Sequence, residues 1–338
     1  MTSKERVYRA IEFRDPDRIP RGFGLSPSEP NAKYYAEKYG NDIVTTAFTQ
    51  KNRPVELSEA DSDTSNLKRR AWYDEWGVLW QSISTDLGEV KRSAIANWDE
   101  LSDLQIPDYG SDWRYDSVRE TVKNYPDKFV LGSLGLFVFE TMHSIRDFTE
   151  LLMDFYIEEE KVAEFADMLA DTFIQVIRAY ARAGVDGVIA YEDWGLQDRL
   201  IISPEKWREI MKPVYKRITD VCSQENLKFF FHSCGYISDI LEDLQEIGVD
   251  VLQLDQQNNI GIQVLSEKAA GKICFFCPLD IQMTPWAADP AALENGIVDL
   301  VTALERNGGF IAKLYSQPSD IGITHEMLET ICETFVRF

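Results

Sequence analysis

Nowhere does this chain of 338 residues carry the run of about 20 apolar residues that a membrane-spanning helix requires, so no membrane span is expected. Basic residues are scarce: 35 Lys and Arg against 57 Asp and Glu leave a formal net charge of −22. Without a basic stripe, neither a nucleic acid nor an anionic membrane surface is an expected partner. No Gly-x-Gly-x-x-Gly turn follows a strand-like run and no Walker loop is present, which leaves a nucleotide site without support. The five cysteines are odd in number and scattered, so they make no disulfide framework, and burial or thiolate chemistry is expected instead. No Pro/Gly/Ser-rich linker divides the chain, and residues 1–338 read as one domain. The opening Met-Thr-Ser-Lys-Glu-Arg lacks an apolar core, so no secretory signal and a cytoplasmic location are expected.

What is present is enough apolar material for a sizeable core, 44% hydrophobic and 12% aromatic. From about residue 128 onward, β-rich runs alternate with helical stretches, the pattern of repeated βα units around a parallel sheet. The runs are 128–132, 187–191, 227–231, 249–254, 273–276 and 310–314, with 18–22 as a first strand after a helix over 4–12. Ser203-Pro204-Glu205 opens a helix with a cap, a proline at the first position and an acidic first turn. Residues 149–184 read as one long helix or a broken one, 76–81 as an extended aromatic piece, and 51–108 as an insertion covering one end. Seven or eight strands predict an α/β fold, a (β/α)8 TIM barrel with an N-terminal extension and an inserted covering segment. An open doubly wound sheet is the alternative.

In such a barrel the chemistry sits where the strands end. The residues found there are Glu192 and Asp193, His232 and Cys234, Asp255, Cys277 and Asp280, and Lys313. His232-Ser233-Cys234-Gly235 is the sharpest element. In an extended segment, residues i and i+2 project to one side, so an imidazole and a thiolate can share one ion, and zinc prefers nitrogen and sulfur donors. Cys277, at the end of a later strand, would complete a His, Cys, Cys set with the fourth position open, and Glu192 could fill or share that position. Glu192, Asp193, Asp255 and Asp280 are candidate catalytic acids, and the three aspartates could instead be second-layer partners of His232, although strand-end acids also cap helices. Trp76, His143, Trp194, Gln282 and Lys313 are candidate substrate contacts. Cys222, Cys274 and Cys332 read as core thiols and His325 as structural.

Several of these segments coincide with a family. Ser3-Lys4-Glu5-Arg6-Val7, Asp15-Pro16-Asp17-Arg18-Ile19-Pro20, Asp74-Glu75-Trp76-Gly77, Glu192-Asp193-Trp194-Gly195, His232-Ser233-Cys234-Gly235 and Leu279-Asp280-Ile281-Gln282 resemble uroporphyrinogen decarboxylase-like proteins over essentially the whole chain. The His-Ser-Cys-Gly stretch is similar to the cobalamin-dependent methyltransferase branch. That resemblance implies zinc held by His232, Cys234 and a distant cysteine, and methyl exchange with a corrinoid protein as partner.

Two departures shape the expectation. The decarboxylases carry an arginine-rich segment for tetrapyrrole carboxylates, whereas residues 20–25 here hold one arginine, Arg21. Methyltransferases acting on coenzyme M place their distant cysteine near the last strand, where this chain reads Lys313-Leu314-Tyr315-Ser316-Gln317. Either Cys277 substitutes from another strand or a third thiolate is missing. Carboxylates around the site suit zinc acting on an ether oxygen, so the expected methyl donor is a methoxylated, aromatic small molecule. Thiol methylation of the coenzyme M type and metal-free decarboxylation are the alternatives, and the oligomeric state, a homodimer included, stays open.

Overall fold

Eight parallel strands curl into a nearly closed barrel in the computed structural model, which describes residues 1–56, 70–82, 88–286 and 289–338. Along the chain come β1 (Arg21–Gly22), β2 (Ile43–Ala47), β3 (Arg53–Val55), β4 (Arg70–Tyr73), β5 (Leu79–Ser82), β6 (Glu89–Arg92), β7 (Phe129–Leu136), β8 (Gly187–Glu192), β9 (Lys228–Ser233), β10 (Val251–Gln253), β11 (Cys274–Cys277) and β12 (Phe310–Lys313). The barrel order is β1-β12-β11-β10-β9-β8-β7-β2, every pairing parallel, and β3–β6 form a separate antiparallel sheet.

The seam between β1 and β2 is closed by Asp42. Its N–H donates to the Arg21 carbonyl at 2.7 Å, and its carboxylate accepts the Arg21 N–H at 2.8 Å. The same carboxylate takes Arg6 and Arg18, each at 2.8 Å, so a wholly buried charge is paired on every side.

Strand alternation divides the apolar residues into two cores. Ile43, Leu131, Ile189, Phe230, Val251, Cys274, Phe276 and Ile311 fill the barrel, with Val7, Ala10 and Ile11 of the helix Ser3–Ile11 packed against them. Their strand neighbours Val130, Val188, Phe229, Phe231, Leu252, Phe275, Cys277 and Ala312 belong to the outer core shared with the helices. Residues facing helices on one side and the barrel on the other are apolar throughout, which is why these strands read as continuous apolar runs.

The expected barrel, N-terminal extension and insertion are observed, with adjustments. β2 escaped the sequence reading because Ile-Val-Thr-Thr-Ala is only partly buried and reads as polar. The aromatic piece 76–81 spans a turn and the first residues of β5, not one strand. The helical region 149–184 is two helices, Phe148–Ile157 and Glu159–Ala183, parted at Glu158. Ser203 caps its helix through a 3.2 Å bond from Lys206 N–H, as expected. Pro213 supplies no N–H to the preceding turn, and residues Trp207–Met211 widen into a π turn before the helix resumes. No helix among the described residues is long and apolar enough to cross a membrane.

Candidate functional site

Parity along β9 aims Phe230 and His232 into the barrel, and Cys234 follows just beyond the strand end. Asp193 arrives from the end of neighbouring β8. His232 Nε2 lies 3.4 Å from Cys234 Sγ and 3.5 Å from Asp193 Oδ1, and all three donor atoms fall within 4.8 Å of one another. The backbone N–H of Cys234 donates to Asp193 Oδ1 at 3.0 Å, tying the two loops together.

Two glycines make this approach possible. Gly195 N–H donates to the Cys234 carbonyl at 3.2 Å and Tyr236 N–H to the Leu196 carbonyl at 2.7 Å, so the loops after β8 and β9 run backbone to backbone. A Cβ on Gly195 would lie 2.4 Å from Tyr236 N, and one on Gly235, which has φ +73°, 2.2 Å from Gly195 O. Only glycine fits at either crossing.

The cluster is electrostatically coupled. Burial opposes the imidazolium of His232, but the facing Asp193 and Cys234 outweigh it and lift the imidazole to about 10. Burial raises the Cys234 thiol although His232 pulls it down. Asp193 is lowered: burial pushes it up, and His232 and the Cys234 N–H more than offset that. His232 Nδ1 is buried without a partner among the described residues. One imidazole, one thiol and one carboxylate converging at a barrel mouth form a nitrogen, sulfur and oxygen donor set that fits a divalent ion of the zinc type.

Beside the cluster, inward positions of successive strands line the mouth. The Tyr191 ring packs 5.5 Å from that of His232. Asp255 Oδ1 accepts from Lys313 Nζ at 2.9 Å and from Gln253 Nε2 at 2.6 Å, and Lys313 Nζ lies 5.7 Å from the Tyr315 ring. Sequence reading had Asp255 and Lys313 but missed Tyr191, Gln253 and Tyr315. Tyr191 and Gln253 stand in register with His232 on the flanking strands, a signal available only once pairing is known.

Other expected residues are not brought to the cluster. Cys277 faces outward from β11 into the helical layer, wholly buried, and burial pushes the thiol up to about 12 against the lowering contacts of Leu254 and Gln257. Asp193 stands where the third ligand was expected from Cys277. Glu192 faces outward too. Its carboxylate accepts from Phe139 N–H at 3.0 Å, Glu140 N–H at 3.1 Å and Tyr215 hydroxyl at 2.8 Å, anchoring the first turn of the helix Val138–Ile145. Burial, and Glu140 nearby, push it well above the usual carboxylate range. Trp194 is fully buried, stacked 4.0 Å from Phe139, with Nε1 on the Tyr215 hydroxyl. Asp280 accepts the N–H groups of Asn258, Gln282 and Met283 at 2.9, 2.9 and 3.2 Å and so ties loops together. Gln282 reaches Gln197 at 3.5 Å on the rim. His143 sits on Glu140 at 3.0 Å beside the Phe139 and Phe148 rings. Trp76 lines a cavity under the inserted sheet.

Fold and site together define a barrel enzyme of one family: residues 83–314 match uroporphyrinogen decarboxylase (URO-D), and the chain belongs to that family. Its relatives fall on two sides. It is 22% identical over 271 residues to the methylcobamide:CoM methyltransferase MtbA of Methanosarcina mazei, covering 77% of this chain and 78% of that protein. It is 25% identical over 246 residues to the uroporphyrinogen decarboxylase of Pectobacterium carotovorum, covering 68% of this chain and 66% of that protein. In fold it is similar to a solved methyltransferase from Methanosarcina mazei, with TM-score 0.69 at 12% identity over 100% of this chain and 98% of the other.

Proposed function

We propose that the protein is a zinc-dependent methyltransferase that moves a methyl group between a methoxylated small molecule, aromatic in class, and the cobalt of a corrinoid carried by a partner protein. The convergence of Asp193, His232 and Cys234 at the mouth of a URO-D family barrel carries this reading. The similarity to a methylcobamide:CoM methyltransferase supports the methyl-transfer class. Decarboxylation is disfavoured by Arg21. The one arginine of segment 20–25 is buried, and its Nη1 donates to the Tyr39 carbonyl at 2.7 Å rather than standing free for substrate carboxylates.

Bound zinc would supply a Lewis acid for an ether oxygen. A carboxylate in place of a second thiolate makes the donor set harder and more oxygen-tolerant, which favours an ether over a thiol substrate. Lys313, held by Asp255 at 2.9 Å, sets an ammonium donor at the mouth where a leaving oxygen would develop. Tyr191 packs against His232 and limits the rotation of its ring.

The test is elemental analysis of metal-replete protein, followed by methyl-transfer assays with reduced free cobalamin and a panel of methoxylated aromatics. About one zinc per chain, lost in Asp193→Ala and Cys234→Ala, with transfer from an aryl methyl ether, is the expected result. No zinc removes the reading. Zinc with transfer to or from a thiol alone replaces it with thiol methylation.

A further inference from the structure

Between the inserted sheet β3–β6 and the end of β7 lies a cavity of about 190 Å3. Trp72, Trp76, Trp80, Tyr109 and Phe173 wall it, with Leu134 and Leu136 of β7 on the barrel side. Trp72 and Trp80 are cross-strand partners and therefore share one face of the sheet. Trp76 meets Tyr109 edge-on at 6.0 Å. Such a volume suits one substituted ring, since an apolar cavity of roughly 150 Å3 already holds benzene.

The polar groups of this cavity are neutral or spoken for. Asp74 accepts from the backbone N–H groups of Trp76 and Val78, each at 2.9 Å, and from Trp80 Nε1 at 2.8 Å, which fixes the Trp80 indole and the Trp76 backbone. Thr141 and Ser144 donate to the carbonyls of Leu136 and Glu140 at 3.0 and 2.7 Å and retain lone pairs able to accept. Gln50 and Asn52, exposed at the entrance, have amides without a partner among the described residues. No Lys or Arg among the described residues lines the cavity. An anion entering it would lose water beside Asp74 and gain no counter-charge. A neutral ring would gain aromatic contacts, and a phenolic hydroxyl could donate to Thr141 or Ser144.

The geometry points to this cavity as the seat of an uncharged methoxylated phenol, selected over methoxylated aromatic acids. Its role as the methyl donor's seat rests on the methyl-transfer reading above. Leu136, on the cavity wall, is the register partner of Tyr191, whose ring is 5.5 Å from that of His232.

Isothermal titration calorimetry of the purified protein with 2-methoxyphenol, 3-methoxybenzoate and tetramethylammonium tests it without any methyl transfer. The phenol is expected to bind at least about tenfold more tightly than the benzoate, and Trp76→Leu to weaken phenol binding by about tenfold. Because Trp76→Leu could fold poorly, Asn52→Lys, an exposed change, is the second variant. It should bring a cation to the entrance and narrow the phenol-to-benzoate ratio by at least about threefold. Equal binding of phenol and benzoate, preference for tetramethylammonium, or an Asn52→Lys ratio equal to wild type would overturn the inference. Zinc content, measured on the same preparations, separates the two failures. Zinc without phenol binding sinks the cavity assignment alone, and phenol binding without zinc sinks the metal reading alone.

Discussion

Gly195 and Gly235 cross at a distance that admits no side chain, a Cβ on Gly235 falling 2.2 Å from the Gly195 carbonyl oxygen. This crossing sets the separation of Asp193, two residues before one glycine, from Cys234, just before the other. Gly235→Ala would add the strain of a positive φ, about 2 kcal/mol, to a backbone clash. The expected outcome is a protein with at least about tenfold weaker zinc binding in a chelator competition, a barrel circular-dichroism signature retained. Unchanged zinc affinity would mean that the loop crossing does not set the ligand geometry.

Cys274 and Cys277 stand on opposite faces of β11, Cys274 in the barrel core and Cys277 in the outer core. Neither belongs to the metal cluster. Cys274→Ala and Cys277→Ala are each expected to keep full zinc content while losing about 1 to 2 kcal/mol of stability by denaturant melts. Loss of zinc in Cys277→Ala would contradict the outward orientation.

Asp42 gives a pH signature. Burial raises this carboxyl, but Arg18 and the other donors outweigh it and hold it below the usual carboxylate range. A group lowered on folding contributes stability above its unfolded value and loses that contribution as pH falls through the folded one. Acid unfolding of the wild type should therefore include a component below about pH 4 that Asp42→Asn lacks, and at neutral pH the variant should be less stable by about 3 kcal/mol. Parallel stability-versus-pH curves for the two proteins would show that the seam charge carries none of it.

The Lys313–Asp255 pair separates proton delivery from metal binding. Lys313→Met should keep zinc and lower methyl transfer from an aryl ether about a hundredfold. It also strands a buried carboxylate, so the double variant Asp255→Asn/Lys313→Met should recover stability but not rate. Recovery of both would reduce the pair to a structural role.

Glu192 is expected to matter for folding rather than for metal. Glu192→Ala leaves two N–H groups and the Tyr215 hydroxyl without their acceptor and should cost about 2 to 3 kcal/mol with zinc content unchanged.

The sequence by itself determined the barrel, the N-terminal extension and the insertion, because alternation of apolar strand runs with helical stretches is local information. It also brought together two of the three residues of the candidate metal cluster: His232 on β9 and Cys234 just past its end are two apart, and period-2 geometry is enough to bring them to one side. The third donor came only from tertiary structure, since Asp193 lies on a neighbouring strand and its partner glycine crosses a loop 40 residues away. Cys277 was misread for a related reason. In Cys274-Phe275-Phe276-Cys277 both faces are buried, so no polar alternation marks which side looks into the barrel, and a one-residue slip in register exchanges the two faces. The aromatic cavity was equally out of reach, because its walls come from the inserted sheet and from β7, elements brought together only by folding.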